Sequence, residues 1–173
     1  ARKFDMPKVC TMIDNDLKWR EEFHPGFDEY FDPGMQEDYP AGYADGTDRE
    51  GNLLWFERPG NGGHVHPKDF VKKYGIGQIC RWHVAGMEMG KKKFEDSGFE
   101  SRRVTAIVDL TKMGDTDSGV RQFAKAIAAI DQDHFPEHLS KMFIINAPGI
   151  FTALWTVIKL FLDDRTKQKI FIL

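Results

Sequence analysis

Cysteine is scarce in this chain of 173 residues, which contains only Cys10 and Cys80. Two cysteines cannot build a disulfide framework, and neither belongs to a zinc-binding Cys-x-x-Cys pair. A reducing compartment, the cytoplasm, is therefore the expected location. Serine is also rare, with four residues, and the sequence has neither a Gly-x-Ser-x-Gly nucleophile motif nor a His-Glu-x-x-His metal motif. We therefore predict that the chain is not an enzyme.

An excess of positive charge is missing as well. Lys and Arg total 24 against 27 Asp and Glu, which gives a formal net charge of −3. Domains that bind nucleic acid usually show a strong basic excess, so we expect no nucleic-acid partner. The longest apolar run covers residues 150–162 and is interrupted by Thr152, Thr156 and Lys159. Because a membrane-spanning helix needs about 20 apolar residues, we expect no transmembrane segment.

Phenylalanine, in contrast, is abundant. The chain has 14 Phe against 4 Trp and 4 Tyr, and hydrophobic residues make up 41% of it. Phe has no polar group that requires a hydrogen-bond partner, so this composition indicates a large, dry apolar interior.

The apolar pattern predicts an α/β fold with a mainly parallel β-sheet. After residue 104, strands over 104–110, 142–145 and 170–173 alternate with helices over 117–133 and 148–162, as expected for βαβ units. The preceding part is predicted to hold a helix over 7–23 that Asp5 caps, a strand over 52–57 and a long helix over 67–89. The acidic, glycine-rich residues 24–51 are predicted to form a surface loop.

A zinc site is the first alternative that the residues suggest. Its ligands would come from His64, His66, Cys80 and His83. Their spacing matches no metal-binding signature, and the glycines at 60–63 are typical of a flexible loop. We therefore predict surface histidines and a core cysteine, with no metal ion and no cofactor.

The apolar segment 150–162 is the second feature that needs an explanation. A helix that is hydrophobic nearly all round must be buried on all sides or must meet something other than water. Two interpretations follow from the residues: a core helix, or a lid whose outer face contacts lipid. Trp155 and the long side chain of Lys159 suit an interface somewhat better.

Several motifs in order along the chain resemble the CRAL-TRIO lipid-binding domain, most closely its phosphatidylinositol/phosphatidylcholine transfer proteins. They are Ala1-Arg2-Lys3-Phe4-Asp5, Trp19-Arg20, the segment 51–57 followed by Arg58, Ile107-Val108-Asp109-Leu110, Phe135-Pro136-Glu137, Phe143-Ile144-Ile145-Asn146-Ala147-Pro148, Phe161-Leu162-Asp163 and Lys169-Ile170-Phe171-Ile172-Leu173. The resemblance covers essentially the whole chain, and the ordered set is far more specific than any single motif.

The resemblance implies a sheet that floors an apolar pocket, covered by helices that include a mobile gating helix at about 150–162. It favours the lid interpretation of that segment. It also implies that residues 1–24 end an N-terminal helical segment and that residues 25–173 form the lipid-binding domain. We expect that domain to be truncated at its C-terminal end.

The resemblance further implies specific site residues. Headgroup contacts are expected from Arg2, Lys3, Glu137, Thr166 and Lys169, because Arg and Lys suit a phosphate and Glu137 can accept inositol hydroxyls. The pocket and gate are expected to involve Tyr43, Trp55, Val104, Ala106, Ile150, Phe151, Leu154, Trp155, Ile158 and Phe161.

One departure from the family concerns the choline headgroup. Phosphatidylcholine-binding members have small hydroxyl residues where this chain has Val104 and Ala106, and Thr105 points to the other face by strand parity. One of the family's two pocket tyrosines is retained as Tyr43, while Trp55 replaces the other. These changes call choline recognition into question.

We therefore expect a cytoplasmic, peripheral membrane protein that binds one phospholipid, phosphatidylinositol, and exchanges or presents it between membranes. Its partners would be the lipid, a membrane surface and, as further candidates, lipid kinases that receive the lipid. Two alternatives stay open. One is a carrier of a sterol-, tocopherol- or retinoid-like hydrophobe, and the other is a module that docks to proteins or membranes without exchange.

Overall fold

A computed structural model describes residues 5–26, 32–97 and 101–173. Its helices are α1 (Met6–Phe23), α2 (Pro33–Asp38), α3 (Pro67–Tyr74), α4 (Ile76–Ser97), α5 (Ser118–His134), α6 (Phe151–Ile158) and α7 (Asp164–Gln168). Its strands are β1 (Ala41–Thr47), β2 (Leu53–Glu57), β3 (Val104–Asp109), β4 (Leu139–Ile145) and β5 (Ile170–Ile172).

The five strands form one sheet in the order β1-β2-β3-β4-β5. Strand β1 pairs antiparallel with β2, and every later pair is parallel. Each parallel connection moves to the next strand on the same side, so right-handed crossovers place their helices on one face of the sheet. In agreement, α5 packs against α3, α4 and α6. The predicted α/β fold with a mainly parallel sheet is therefore confirmed.

Helix α1 confirms the first predicted element to within a residue. The Asp5 carboxylate accepts the Lys8 N–H at 3.3 Å, and Pro7 suits the first turn. Trp19 stacks on His134 with ring centroids 3.9 Å apart, and Arg20 forms ion pairs with Asp16 and with Glu88 of α4. These contacts attach α1 to α5 and α4.

The prediction of a loop over 24–51 was wrong for much of that segment. It contains α2, which the Asp32 carboxylate caps by accepting the N–H groups of Gly34 and Met35, and the strand β1. Strand β1 has the sequence Ala-Gly-Tyr-Ala-Asp-Gly-Thr, and it lies at the edge of the sheet. An edge strand tolerates Gly and Asp better than a buried one, which is why its composition resembled a loop.

The long helix predicted over 67–89 is two helices. Gly75 separates α3 from α4 with φ 76° and ψ 148°, a conformation open almost only to glycine. Helix α4 then continues beyond Met89 to Ser97.

The apolar helix predicted over 148–162 is also shorter than expected. Helix α6 ends at Ile158, and a new helix, α7, begins after Asp163, whose carboxylate accepts the N–H groups of Arg165 and Thr166. Asp163 therefore caps the start of α7, five residues after α6 has ended. Within the ranges described above, no helix combines the length and the hydropathy that crossing a bilayer requires.

Candidate functional site

A cavity of about 1000 Å³ lies between the sheet and the helices. Its floor consists of alternate residues of the parallel strands. Trp55, Ala106, Met142 and Ile170 form one row across the sheet, and Glu57, Val108 and Ile144 form the next. Strand geometry explains this arrangement, because every second side chain points to the same face.

The helices supply the opposite wall, which is mostly apolar. Its members include Phe70, Ile79, Trp82, Phe123 and Ile127. Helix α6 adds Phe151, Leu154, Trp155 and Ile158, of which Phe151 and Leu154 are buried. An apolar lining of this size suits a hydrophobic ligand rather than a small polar one.

The structure brings together the four sheet residues that were predicted to face a pocket. Tyr43, Trp55, Val104 and Ala106 all line the cavity, and the Tyr43 and Trp55 rings meet edge to face with centroids 4.8 Å apart. Thr105 points to the other face, where its hydroxyl donates to the Asp48 carboxylate at 2.7 Å. As strand parity predicts, Val104 and Ala106 share one face of β3 and Thr105 lies on the other.

Two of the residues predicted for the pocket and gate lie outside the lining. Ile150 is the N-cap residue of α6 and is 43% exposed. Phe161 follows α6 and lies beside Lys125, whose Nζ is 5.1 Å from the ring centroid. Of the residues predicted for the gate, Phe151, Leu154, Trp155 and Ile158 face the cavity.

A charged cluster lies at the amino edge of the parallel strands. Lys169 Nζ donates to the Leu139 carbonyl at 2.8 Å and forms an ion pair with Glu137 at 3.2 Å. The Thr166 hydroxyl donates to the Asp163 carboxylate at 2.7 Å. Glu137, Thr166 and Lys169 all line the cavity, whereas Arg2 and Lys3 lie outside the residues that the structure describes.

The side chain of Gln132 on α5 forms hydrogen bonds with the segment that joins α6 to α7. Its amide donates to the Phe161 carbonyl at 2.6 Å and accepts the Asp163 N–H at 3.0 Å. One side chain therefore holds both sides of the turn that joins α6 to α7.

A second polar group, which was not predicted from the sequence as a cluster, consists of Glu57, His83 and Asp131. His83 Nε2 lies 2.7 Å from Asp131 Oδ1, and Glu57 accepts the Trp55 indole N–H at 3.3 Å. All three residues line the cavity. Their positions were a usable signal, because Glu57 shares a strand face with Trp55, and His83 shares a helix face with Ile79 and Met87.

The protonation of this group follows from its surroundings. Burial raises the pKa of Glu57. Burial lowers the pKa of His83, but the charge and hydrogen bond of Asp131 more than offset this effect, so the pKa is raised overall. The contact with Asp131 therefore favours the protonated form of His83, and burial disfavours the charged form of Glu57.

Comparisons with known proteins agree with this architecture. A family model described as the CRAL/TRIO domain matches residues 37–173. Phosphatidylinositol/phosphatidylcholine transfer protein SFH9 of Arabidopsis thaliana is 34% identical over 189 residues, which cover 100% of this chain and 31% of that protein. SFH7 of the same plant is 33% identical over 187 residues, covering 100% of this chain and 33% of the relative. The chain therefore spans about a third of the length of these curated relatives.

A solved structure extends the likeness to the fold. The crystal structure of Sfh5 superposes with a TM-score of 0.81 and covers 99% of this chain and 60% of its own, at 21% sequence identity. At that identity the match concerns the arrangement of helices and strands.

Proposed function

Because the chain belongs to the CRAL/TRIO domain family, we propose that it binds a single phosphatidylinositol molecule in the cavity and exchanges it between membranes. The observation that carries this proposal is the cavity of about 1000 Å³ between an apolar sheet face and an apolar helical wall. The names of the relatives point the same way, since several are phosphatidylinositol/phosphatidylcholine transfer proteins.

The apolar lining supports the acyl-chain part of the proposal. Moving a lipid through water requires that its chains be hidden, which is worth about 0.8 kcal/mol per buried CH₂. Aliphatic and aromatic side chains such as Ile79, Phe123 and Met142 do this without polar partners.

The charged cluster supports the headgroup part. Lys169 offers a cation to a phosphate, and Glu137 and Thr166 offer groups that bond to inositol hydroxyls. Glu137 already neutralises Lys169 at 3.2 Å, so an entering phosphate would share the lysine with it. Arg2 and Lys3 remain candidates for the same headgroup on the family resemblance alone.

Exchange also needs contact with a membrane, and the ends of the gate segment supply apolar surface for it. Ile150 and Leu160 are 43% and 73% exposed, at opposite ends of α6. We extend the proposal to a peripheral protein of the cytoplasm that docks transiently through this segment. A lipid kinase is a candidate recipient of the presented lipid.

Transfer of labelled phosphatidylinositol between vesicles tests the proposal. We expect the chain to accelerate transfer, and we expect Lys169→Ala to reduce it about 10-fold or more, because a hydrogen bond to a charged group is worth about 1.5–3 kcal/mol. Lys167→Ala is the matched control. Lys167 lies on α7, two residues before Lys169. It pairs with Asp164 and does not line the cavity.

The outcomes separate the candidate functions. Equal transfer by the Lys169→Ala and Lys167→Ala variants would refute the headgroup assignment. If no lipid co-purifies in native mass spectrometry and none is transferred, the exchange function is wrong and a docking module without exchange becomes the better description.

A further inference from the structure

Residues 159–163, which join α6 to α7, form few polar contacts with the rest of the molecule. The backbone N–H groups of the first three of them donate only to carbonyls of α6. In the part of the chain that the structure describes, the hydrogen bonds from this segment to an element other than α6 or α7 are the two with Gln132 of α5. Lys125 of the same helix adds a cation–π contact with the Phe161 ring at 5.1 Å. The position of the segment on α5 therefore depends largely on one amide group.

The Gln132 amide is fully occupied by backbone groups. Its Nε2 donates to the Ala128 carbonyl of α5 at 3.1 Å and to the Phe161 carbonyl at 2.6 Å. Its Oε1 accepts the Asp163 N–H at 3.0 Å. Both N–H groups of the amide thus have an acceptor, and one bond orients the side chain along its own helix. We call the two bonds to residues 161 and 163 the Gln132 contact.

A buried charge holds the chain at the opposite end of α6. Asn146, which has a φ of 55°, precedes that helix and donates its Nδ2–H to Asp109 Oδ1 at 2.9 Å. Asp109 is 5% exposed and also accepts hydrogen bonds from Arg58 and Thr111. Hydrogen bonds to a charged group are stronger than neutral ones, and a buried charge that loses a partner is strongly disfavoured. The end of α6 at Gln132 is therefore the end that separates more readily.

The Gln132 contact also reaches the charged cluster around Lys169. The Asp163 carboxylate accepts two N–H groups of α7 at 2.8 and 3.0 Å and the Thr166 hydroxyl at 2.7 Å, so it fixes the start of that helix. Lys169 follows α7 directly and donates to the Leu139 carbonyl. Gln132, Asp163, Thr166 and Lys169 all line the cavity. Separation of Asp163 from Gln132 would therefore release the end of α6 beside the residues proposed for the headgroup.

We propose that Gln132 is a positioning residue for lipid exchange. Breaking the Gln132 contact lets α6 move away from the cavity, while the bond between Asn146 and Asp109 stays intact as the hinge of that movement. The inference rests on the proposed function, because it takes exchange through the cavity as given. It adds the residue that sets how often the cavity opens.

Loss of this contact has a specific kinetic signature. The contact joins groups of the protein only, so it stabilises the closed form equally with and without a bound lipid. Removing it raises the rates of loading and of release by the same factor, and the dissociation constant stays unchanged. Loss of a headgroup contact differs, because it raises the release rate and weakens the affinity.

Stopped-flow exchange of pyrene-labelled phosphatidylinositol with phosphatidylcholine vesicles measures both rates. Gln132→Met keeps the length of the side chain but cannot donate a hydrogen bond and accepts only weakly. We expect loading and release to become about 10-fold faster, as the loss of two neutral hydrogen bonds predicts, with a dissociation constant within about twofold of the wild type. Gln122→Met, the same change at an exposed position of α5 outside the cavity lining, should behave as the wild type.

Hydrogen exchange of the delipidated chain, followed by mass spectrometry, tests the contact without any lipid. We expect Gln132→Met to speed exchange in the peptide that covers residues 159–165 by about 10-fold, since the Asp163 N–H loses its acceptor. The peptide over 143–147 should exchange as in the wild type. If Gln132→Met folds poorly, Gln132→Glu serves instead, because its carboxylate cannot donate to the Phe161 carbonyl.

The outcomes separate this inference from the proposed function. If the wild type transfers phosphatidylinositol and Gln132→Met loads and releases it at wild-type rates, the inference is wrong and the function stands. Faster release with unchanged loading would make Gln132 a lipid contact, which also overturns the inference. If the wild type neither binds nor transfers the lipid, the proposed function fails, and unchanged hydrogen exchange over residues 159–165 would still refute the Gln132 contact by itself.

Discussion

His138 shows how burial changes the chemistry of one side chain. Its ring lies between Phe94 and Phe135, with centroid distances of 5.7 and 6.3 Å. Burial lowers its pKa to about 4, far below the usual value for histidine. The folded protein therefore holds this ring in its neutral form, and protonation must work against folding.

The stability of the protein should consequently depend on pH through His138. Between pH 6.5 and pH 4 the unfolded chain binds the proton and the folded chain does not, so the contribution is complete above pH 6.5 and is lost as pH falls. The loss amounts to at most about 3.5 kcal/mol, from roughly 1.4 kcal/mol per pKa unit between the ordinary value of 6.5 and about 4. We expect His138→Phe, which keeps the ring packing, to remove this dependence.

Urea unfolding at pH 7.5, 5.5 and 4.5 measures the effect. The difference in unfolding free energy between wild type and His138→Phe should shift in favour of the variant as pH falls. A difference that stays constant over this range would contradict the assignment. The titrating groups that do not interact with His138 are common to both proteins, so their contributions cancel in this difference.

Residues on a single strand were predictable, but the pair at the helical wall was not. Alternation along β3 is enough to place Val104 and Ala106 on one face and Thr105 on the other. His83 and Asp131 lie 48 positions apart, and their contact depends on how α4 packs against α5. Helical periodicity can show that each points inward, but it cannot show that they meet.

At the scale of elements, Gly75 defines where α3 ends and α4 begins. Its N–H closes α3 by donating to the Val71 carbonyl at 2.9 Å, and its own carbonyl accepts the Ile79 N–H at 3.1 Å. A Cβ at this position would meet no atom within 4 Å, so only the positive φ of 76° opposes a side chain.

Gly75→Ala and Gly77→Ala form a matched pair that isolates this backbone effect. A Cβ at Gly77 also meets open space, but its φ lies outside the positive range. We expect Gly75→Ala to lower the free energy of unfolding by about 1–3 kcal/mol, and Gly77→Ala to raise it by up to about 1 kcal/mol. Urea unfolding of both variants checks this, and equal effects of the two changes would show that the break between the helices is not set by backbone strain.

The strength of the local sequence signal explains which elements could be predicted. Buried strands such as β3 have a strong apolar signal, and α1 has an acidic cap and a proline at its start. Strand β1 lacks such a signal because it is an edge strand that contains two glycines. The short α6 was overestimated because hydropathy continues through 159–162 after the helical backbone has ended.

The whole molecule owes its cavity to the order of its strands. Because β2 to β5 follow one another in a single direction, the crossover helices lie on one face of the sheet, and α6 closes over it. The sequence supports a parallel sheet, but the family resemblance was needed to expect a space between the layers. Apolar side chains that pack tightly and apolar side chains that line a cavity give the same pattern.

The size of that cavity has a consequence for stability. Apolar lining that is exposed to water in a cavity of about 1000 Å³ is unfavourable by about 25 cal/mol for each Å² of apolar surface. A ligand that covers this surface therefore stabilises the folded state. An apolar lining favours the ligand, and removing it should weaken the fold.

Lipid loading should therefore raise the unfolding temperature of the delipidated chain. A ligand at 100 times its Kd that binds only the folded state adds about 2.7 kcal/mol, which for this size corresponds to roughly 5–10 °C. Scanning calorimetry with phosphatidylinositol vesicles measures the shift. Ala106→Trp is the control, because an indole between Trp55 and Met142 in the floor row takes up the space for acyl chains. We expect this variant to fold with no lipid-dependent shift, whereas an equal shift in both proteins would mean that the lipid acts outside the cavity.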